Sequence, residues 1–430
     1  VRVGICGFGT VGGGTFNVLQ RNCEEITRRT GRAIVVEHIA QRRPNVNCDT
    51  GNTAITDDIF AVANNPDIDV LVELIGGHEP AKELVLTAIR NGKHVVTANK
   101  ALIAEHGNEI FEAARKYNVV VAYEAAIAGG IPIVKALREG LAANSINWLA
   151  GIINGTGNFI LTEMRDKGRA FADVLKEAQE LGYAEADPTF DVEGIDAAHK
   201  LTILSSVAFG IPLQFDQCYT EGISKVSAED VANAESLGYR IKHLGLTRRT
   251  EAGIELRVHP TLIPEKRLIA NVHGVMNAVL VDGNAVGPTM YYGAGAGAEP
   301  TASSIVADLV DVVRDMAVDQ NVRMPSLAFQ QDAMSDSPIL SMDNVVTAFY
   351  MRMAVSEKPG VLAQITQILG NAGISIEAIR QQTHVSSQVP VIILTRPVLE
   401  GHMNDAIKAI EALADVSGEV TRIRVENLDG

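Results

Sequence analysis

Nowhere in its 430 residues does the chain carry the roughly 18 consecutive apolar residues that a membrane-crossing helix needs. No basic segment leading into a short apolar core opens it, so a secretory leader is not expected and a cytoplasmic location is. Cysteine is scarce. The four present, Cys6, Cys23, Cys48 and Cys218, form no C-x-x-C pair and no metal-like spacing with histidine, and read as reduced thiols. Cationic residues are also short, 37 Lys and Arg against 52 Asp and Glu, for a formal charge of −15. Such a surface opposes binding to nucleic acid or anionic membranes. An anionic small molecule can be held only where the few cations are gathered. No internal repeat and no low-complexity tract occurs.

The balance of 47% hydrophobic and 21% charged residues is that of an ordinary globular protein, not a disordered one. The length exceeds a single core and predicts two to four packed units. The first third alternates β-rich runs at 1–6, 34–40, 70–74, 94–97 and 119–122 with helical patterns. Notable among the latter are 80–91, closed by the stop signal Asn91-Gly92, and 107–118. Continuous apolar strands separated by helices predict an α/β domain whose parallel sheet is covered on both faces. From about 131 to 269 the pattern shifts to longer helices with mixed strands, an α+β domain built around a site. A glycine-rich loop at 293–304 runs into a helical pattern over 302–318. The polar stretch 330–343 reads as linker. Beyond it come strand 345–356, helix 359–371, strands 374–380 and 389–395, helix 401–414 and strand 419–425. This βαββαβ order fits a ferredoxin-like module.

Gly7-Phe8-Gly9-Thr10-Val11-Gly12 follows the first strand and opens a helix. A G-x-G-x-x-G string alone is weak; its strand–helix context makes it a dinucleotide-binding loop. Gly7 permits the tight turn, Gly9 lets the backbone approach a pyrophosphate, and Gly12 allows close helix–strand packing. Free N–H groups at the helix start then meet the phosphates. A carboxylate ending the second strand would bind the ribose 2′-hydroxyl of NAD. Here that end reads Ala40-Gln41-Arg42-Arg43, with Glu37 too early and on the strand. Arg42 and its neighbour suit a 2′-phosphate, so NADP is expected, with NAD as the alternative.

The segment 178–200 crowds Glu185, Asp187, Asp191, Glu193 and Asp196 ahead of Lys200. If 195–205 is helical, Asp196 and Lys200 lie at i and i+4 on one face. A buried Asp–Lys pair can hold an ammonium at a reacting oxygen and tune it for proton transfer. The remaining carboxylates suit a cationic amino group. Spacing alone equally allows a surface capping loop followed by an ordinary helix ion pair.

The spacing of Ala178, Gly182, Tyr183, Asp187, Pro188, Asp191, Gly194, Asp196 and Lys200 resembles the signature of the homoserine dehydrogenase family. Asn154-Gly155-Thr156-Gly157-Asn158 resembles that family's loop beside the nicotinamide. Thr97-Ala98-Asn99-Lys100 resembles the segment that supplies its other active-site lysine. The run Gly293 to Gly297 with Pro300-Thr301 resembles the segment that closes the cofactor domain. The resemblance implies an enzyme interconverting aspartate semialdehyde and homoserine by hydride transfer. Lys200, Lys100 and Asp196 would be catalytic, with Lys200 favoured for the proton and Lys100 an alternative. Glu185, Asp191, Tyr183, Gly155 and Thr156 would bind substrate. Thr97, Lys100 and Gly297 would join the glycine loop at the cofactor. The stretch from Glu124 to Ile131 matches the family's site for a sodium or potassium ion. Its ligands would be the carboxylate of Glu124 and main-chain carbonyls such as those of Ile127, Gly129 and Ile131. His199 would point away from the face of Lys200 and is expected to pack or lie at the surface.

Ser356-Glu357-Lys358-Pro359-Gly360-Val361-Leu362-Ala363, with Gly370-Asn371-Ala372-Gly373-Ile374-Ser375-Ile376 after it, resembles an ACT domain. That resemblance implies an amino-acid effector, threonine by pathway logic, bound across paired modules, or a module that only dimerises. Exposed sheet edges favour a homodimer or homotetramer. The expected domains are 1–130 for the dinucleotide, completed by 297–320; 131–296 for substrate and dimerisation; a linker over 321–344; and 345–430 for regulation. Two rivals fit less well. A 2-hydroxyacid dehydrogenase ending in an ACT domain has its nucleotide motif in mid-chain, and a non-catalytic amino-acid sensor needs no lysine pair at a nicotinamide. A kinase domain fused ahead of the glycine loop is not expected.

Overall fold

The computed structural model describes residues 1–319, 322–381 and 388–429. The start of the expected linker at 321, the end of the segment 297–320, and 382–387 and 430 of the expected C-terminal domain lie outside the described residues. The chain divides into two compact units. Val1–Gly155, Ile195–Cys218 and Val275–Ser337 form the first; Thr156–Gly194, Tyr219–Gly274 and Pro338–Gly430 form the second. None of the described helices is long and apolar enough to cross a membrane, and the four cysteines are not joined in disulfides.

The first unit is organised by a six-stranded sheet. Its strands are β1 (Arg2–Cys6), β2 (Val35–Ala40), β3 (Ala54–Thr56), β4 (Val70–Glu73), β5 (His94–Thr97) and β6 (Val121–Ala122). They run in the order β3-β2-β1-β4-β5-β6, and every pairing is parallel. Order reverses between β1 and β4, which opens a crevice at their carboxyl ends. The β4 strand is wholly buried, as a parallel strand covered on both faces must be. Val3, Ile5, Val70, Val72 and Val96 meet Phe16 and Leu19 of the Thr10–Arg21 helix and Ile305 and Leu309 of the Ala298–Asp315 helix in one core. Three antiparallel strands, Ile146–Ile152, Met276–Gly283 and Gly287–Ala294, complete the unit.

One helix starts earlier than the pattern 107–118 predicts: it spans Lys100–Lys116. Asn99 caps it, its side-chain oxygen accepting the N–H of Leu102 at 3.1 Å. Gly107 is no boundary. A β-carbon there would come within 2.5 Å of Leu213, so the glycine marks close packing in mid-helix.

His94 opens β5 and accepts the N–H of Val120 on Nδ1 at 2.9 Å, which only an unprotonated Nδ1 can do. Burial, aided by the charge of Arg323, holds its pKa down to about 4. An unfolded histidine takes its proton near pH 6.5. The folded state therefore binds fewer protons, so this contribution is full above pH 6.5 and is lost as pH falls toward 4. Urea midpoints are expected to drop between pH 7 and pH 5, and to drop less in His94→Asn. An equal drop in the variant would remove His94 as the cause.

In the second unit, helices Phe171–Glu180 and Ala228–Ser236 accompany a long antiparallel hairpin, Tyr239–Thr250 with Gly253–Pro264. The C-terminal module runs Val346–Ser356, helix Val361–Asn371, Ile376–Gln381, Gln388–Thr395, helix Glu400–Glu411 and Val416–Val425. The last strand pairs with the first, the first with the third and the third with the second, all antiparallel. That is the ferredoxin-like βαββαβ arrangement expected from the sequence. Its core joins Phe349, Met351, Ile365, Leu369, Ile393 and Ile410.

Candidate active site

The glycine loop lies at the β1 end of the crevice. Gly7 has φ +97°, and a β-carbon on it would stand 2.5 Å from the carbonyl oxygen of Leu74, directly after β4. A β-carbon on Gly12 would stand 2.2 Å from the carbonyl oxygen of Gly7, so neither position tolerates a side chain. Gly9 is the opposite case. Nothing lies within 4 Å of its β-carbon position, and the helix it precedes has no side-chain cap. An open backbone face and uncapped N–H groups at a helix start fit a diphosphate. Phe8 is buried against Phe16, whereas Thr10 is exposed and Val11 half-buried.

A groove of about 420 Å³ runs beside this loop, lined by Phe8, Gly9, Thr10, Arg43 and Asn45 among others. Asn45 donates to the carbonyls of Phe8 (3.2 Å) and Gly9 (3.0 Å), bracing the loop. Of the two sequence-predicted arginines it is Arg43 that lines the groove; Arg42 is exposed just after β2. Thr97 is fully buried. Its hydroxyl donates to Glu73 at 2.6 Å and accepts the N–H of Asn99 at 3.0 Å, so what it presents to a ligand is backbone. Gly297, with φ +121°, precedes the Ala298–Asp315 helix.

Residues far apart in sequence converge on Asp196 within the first unit. The Ile195–Phe209 helix is buried along almost its whole length and carries Asp196 in its first turn. Lys200 donates to Asp196 at 2.6 Å and to the carbonyl of Ile153 at 2.8 Å. Asn154 donates to the same carboxylate oxygen at 2.8 Å, and Lys100 stands 3.2 Å from the other. Burial opposes ionisation of Asp196. Lys200 and Lys100, with hydrogen bonds from Lys200 and Asn154, outweigh it and hold the carboxyl well below the usual range. The site thus has one permanent anion between two lysines, with Lys200 nearly buried and Lys100 partly exposed. Asn154 as a partner of Asp196 was not anticipated. The only signal for it was the N-G-T-G-N loop in which it stands.

His199 is buried, stacks on Phe215 and meets Glu105 through Nε2 at 2.9 Å. It packs, as expected. Gly155 belongs to the first unit; Thr156, Tyr183, Glu185 and Asp191 belong to the second. There the Thr156 hydroxyl donates to the carbonyl of Tyr183 at 2.6 Å. Glu185 is exposed, Asp191 half-buried and Tyr183 44% exposed. Asp187 accepts the N–H of Thr189 at 3.1 Å, a local contact just ahead of the short Thr189–Val192 helix.

Glu124 is buried, and its two carboxylate oxygens accept the N–H groups of Val134 and Lys135, each at 2.8 Å. The carbonyl of Gly129 accepts the Ser304 hydroxyl at 2.6 Å, and that of Ile131 the N–H of Ile133 at 2.8 Å. A carboxylate and carbonyls are hard oxygen donors, and each oxygen with one such bond retains a lone pair, so the set is chemically compatible with a monovalent cation.

A doubly wound parallel sheet with a glycine loop at its switch point, a buried lysine–carboxylate cluster and a ferredoxin-like C-terminal module together fit the class of nicotinamide-dependent oxidoreductases. Comparison with known proteins gives the particular family. The family model for the homoserine dehydrogenase NAD-binding domain matches residues 7–124, that for homoserine dehydrogenase matches 132–310, and the ACT domain matches 351–415. A homoserine dehydrogenase of Pseudomonas aeruginosa is 69% identical over 431 residues, covering 100% of this chain and 99% of the relative. The crystal structure of a homoserine dehydrogenase from Thiobacillus denitrificans has a TM-score of 0.95 at 64% identity, covering 100% of this chain and 99% of that one. A hyperthermophilic archaeal homoserine dehydrogenase in complex with NADPH has a TM-score of 0.62 at 26% identity, covering 74% and 98%. The chain belongs to the homoserine dehydrogenase family.

Proposed function

We propose that the enzyme interconverts L-aspartate 4-semialdehyde and L-homoserine with NADP as preferred cofactor, NAD being the weaker alternative. The Lys100–Asp196–Lys200 cluster carries this reading. Asp196 anchors the Lys200 ammonium, which gives its proton to the aldehyde oxygen as negative charge develops there. In the reverse direction the neutral amine of Lys200 takes the hydroxyl proton of homoserine. Lys100, 3.2 Å from the same carboxylate, steadies that charge. The nicotinamide supplies or accepts the hydride. Glu185 and Asp191 are assigned to the amino group of the substrate, with Tyr183, Thr156 and Gly155 as further substrate contacts. A sodium or potassium ion at Glu124, with the carbonyls of Ile127, Gly129 and Ile131, orders the turn that follows β6.

We assign residues 1–130 with 297–320 to dinucleotide binding, 131–296 to substrate binding, 321–344 to a linker and 345–430 to regulation. Threonine is the proposed effector, at the loop Val355 to Leu362 that lines a surface depression beside Gln381. Its pairing surface is the edge strand Ile376–Gln381, whose outer residues are exposed, which supports a homodimer or homotetramer.

Cofactor choice is the most direct test of the finer reading. The NADPH complex of the archaeal relative and the position of Arg43 on the groove both favour a 2′-phosphate contact. A charge-assisted hydrogen bond contributes about 1.5–3 kcal/mol, so Arg43→Ala is expected to lower kcat/KM for NADP roughly 10- to 100-fold. Its value for NAD should change less than about twofold, because that cofactor lacks the group that the arginine contacts. Arg42→Ala, at the exposed position, should have the smaller effect. An unchanged NADP-to-NAD ratio in both variants would overturn the assignment.

A further inference from the structure

We propose that His78, Glu105 and His106 bind a divalent transition-metal ion of the zinc class. One ligand atom from each of the three lies within 4.8 Å of the others, and no other such group of histidine, cysteine and carboxylate occurs among the described residues. His78 Nε2 is 3.6 Å from a Glu105 oxygen, and the rings of His78 and His106 meet edge to face at 5.8 Å. Two imidazoles and one carboxylate are the donor mix that suits zinc and its neighbours, whereas magnesium prefers oxygen alone. The side chains of His78 and Glu105 are 46% and 33% exposed, so an ion has a path from solvent and positions left for water.

Two features separate this cluster from an ordinary exposed histidine–glutamate pair. The first is support behind a ligand. Glu105 is held by buried His199, whose Nε2 is 2.9 Å from the same carboxylate oxygen and whose ring stacks on Phe215. Metal-binding carboxylates are characteristically hydrogen-bonded from behind in this way, which fixes their aim. The second is convergence from two elements. His78 comes from the loop after β4, while Glu105 and His106 come from the Lys100–Lys116 helix. Asn99 donates to the carbonyl of Gly77 at 2.7 Å and so pins that loop to the helix start. A bound ion would fasten together the loop at the strand-order switch and the helix that begins with Lys100.

The full-length protein, freed of metal with EDTA and dialysed, is titrated with zinc chloride in a calorimeter. Wild type is expected to bind one equivalent at this site, and magnesium chloride to give no comparable heat. In the His78→Ala/His106→Ala double variant that binding is expected to weaken by at least about tenfold while homoserine oxidation is retained; His199→Phe, which removes the support of Glu105, should weaken it by about the same factor. Retained turnover and an unchanged melting temperature show that the double variant is folded. Zinc binding of the same stoichiometry and affinity in that variant, or its absence from wild type, would overturn the site. Equal heats from magnesium and zinc would overturn the metal class.

Discussion

Lys200→Met is expected to lower kcat for homoserine oxidation by about 10²- to 10⁴-fold, the range that a positioned proton-transfer group contributes. The measurement is nicotinamide absorbance in both directions, with wild type and variant at the same pH. Methionine keeps much of the buried length of the side chain but cannot carry a proton. Fold is expected to survive, because the Asp196 carboxylate left behind still has Lys100 at 3.2 Å and Asn154 at 2.8 Å. If the lysine acts on the transition state and not on ground-state binding, kcat and kcat/KM fall together. Lys100→Met supplies the control that sequence could not. The larger kcat loss identifies the proton carrier, and a Lys200 variant with more than a tenth of wild-type turnover would take the role from Lys200.

Arg257→Met is expected to destabilise the second unit by about 3–5 kcal/mol, the cost of removing one partner from a buried ion pair. Arg257 is fully buried. It donates to Glu255 at 2.8 and 3.1 Å, to Glu426 at 2.6 Å, and to Nε2 of His259 at 2.8 Å. That last bond requires His259 to be neutral at Nε2. Burial, with Arg424 and Arg257 nearby, drives the histidine pKa far down and satisfies the requirement. Without the guanidinium, Glu255 keeps only Arg248 at 3.5 Å, among the ion pairs seen here, and Glu426 only Arg248 at 3.0 Å. Urea or thermal unfolding of the full chain reads the loss. Adding Glu255→Gln and Glu426→Gln should recover part of it, since the uncompensated charges are then gone. A loss below about 1 kcal/mol would mean that Arg248 and water suffice for both carboxylates.

Some of this protein was legible locally. The glycine loop could be read because Gly7 and Gly12 answer steric demands set by near neighbours in the βαβ unit. The Asp196–Lys200 contact could be read because helical period alone places i and i+4 together. The βαββαβ order of the C-terminal module followed from alternating strand and helix periods. Where local signals misled, the reason was also local: Gly107 looked like a helix boundary, while the actual start was the less conspicuous cap Asn99.

The rest required the chain to come back on itself. Along Gly253–Pro264 the alternation of Ile254, Leu256, Val258 and Leu262 with Glu255, Arg257, His259 and Thr261 is what a strand with one wet face would show. The structure buries both faces, because Glu426 arrives from the far end of the chain to pair with Arg257. Lys100 and Asn154 join Asp196, and His78 joins Glu105 and His106, on the same principle. Sequence by itself determined most elements of the first third and of the C-terminal module, the dinucleotide loop and one ion pair, all of which depend on backbone geometry and short spacing. Only the tertiary structure decided which charges are buried together, because burial is a property of residues brought into contact by topology and not by their distance along the chain.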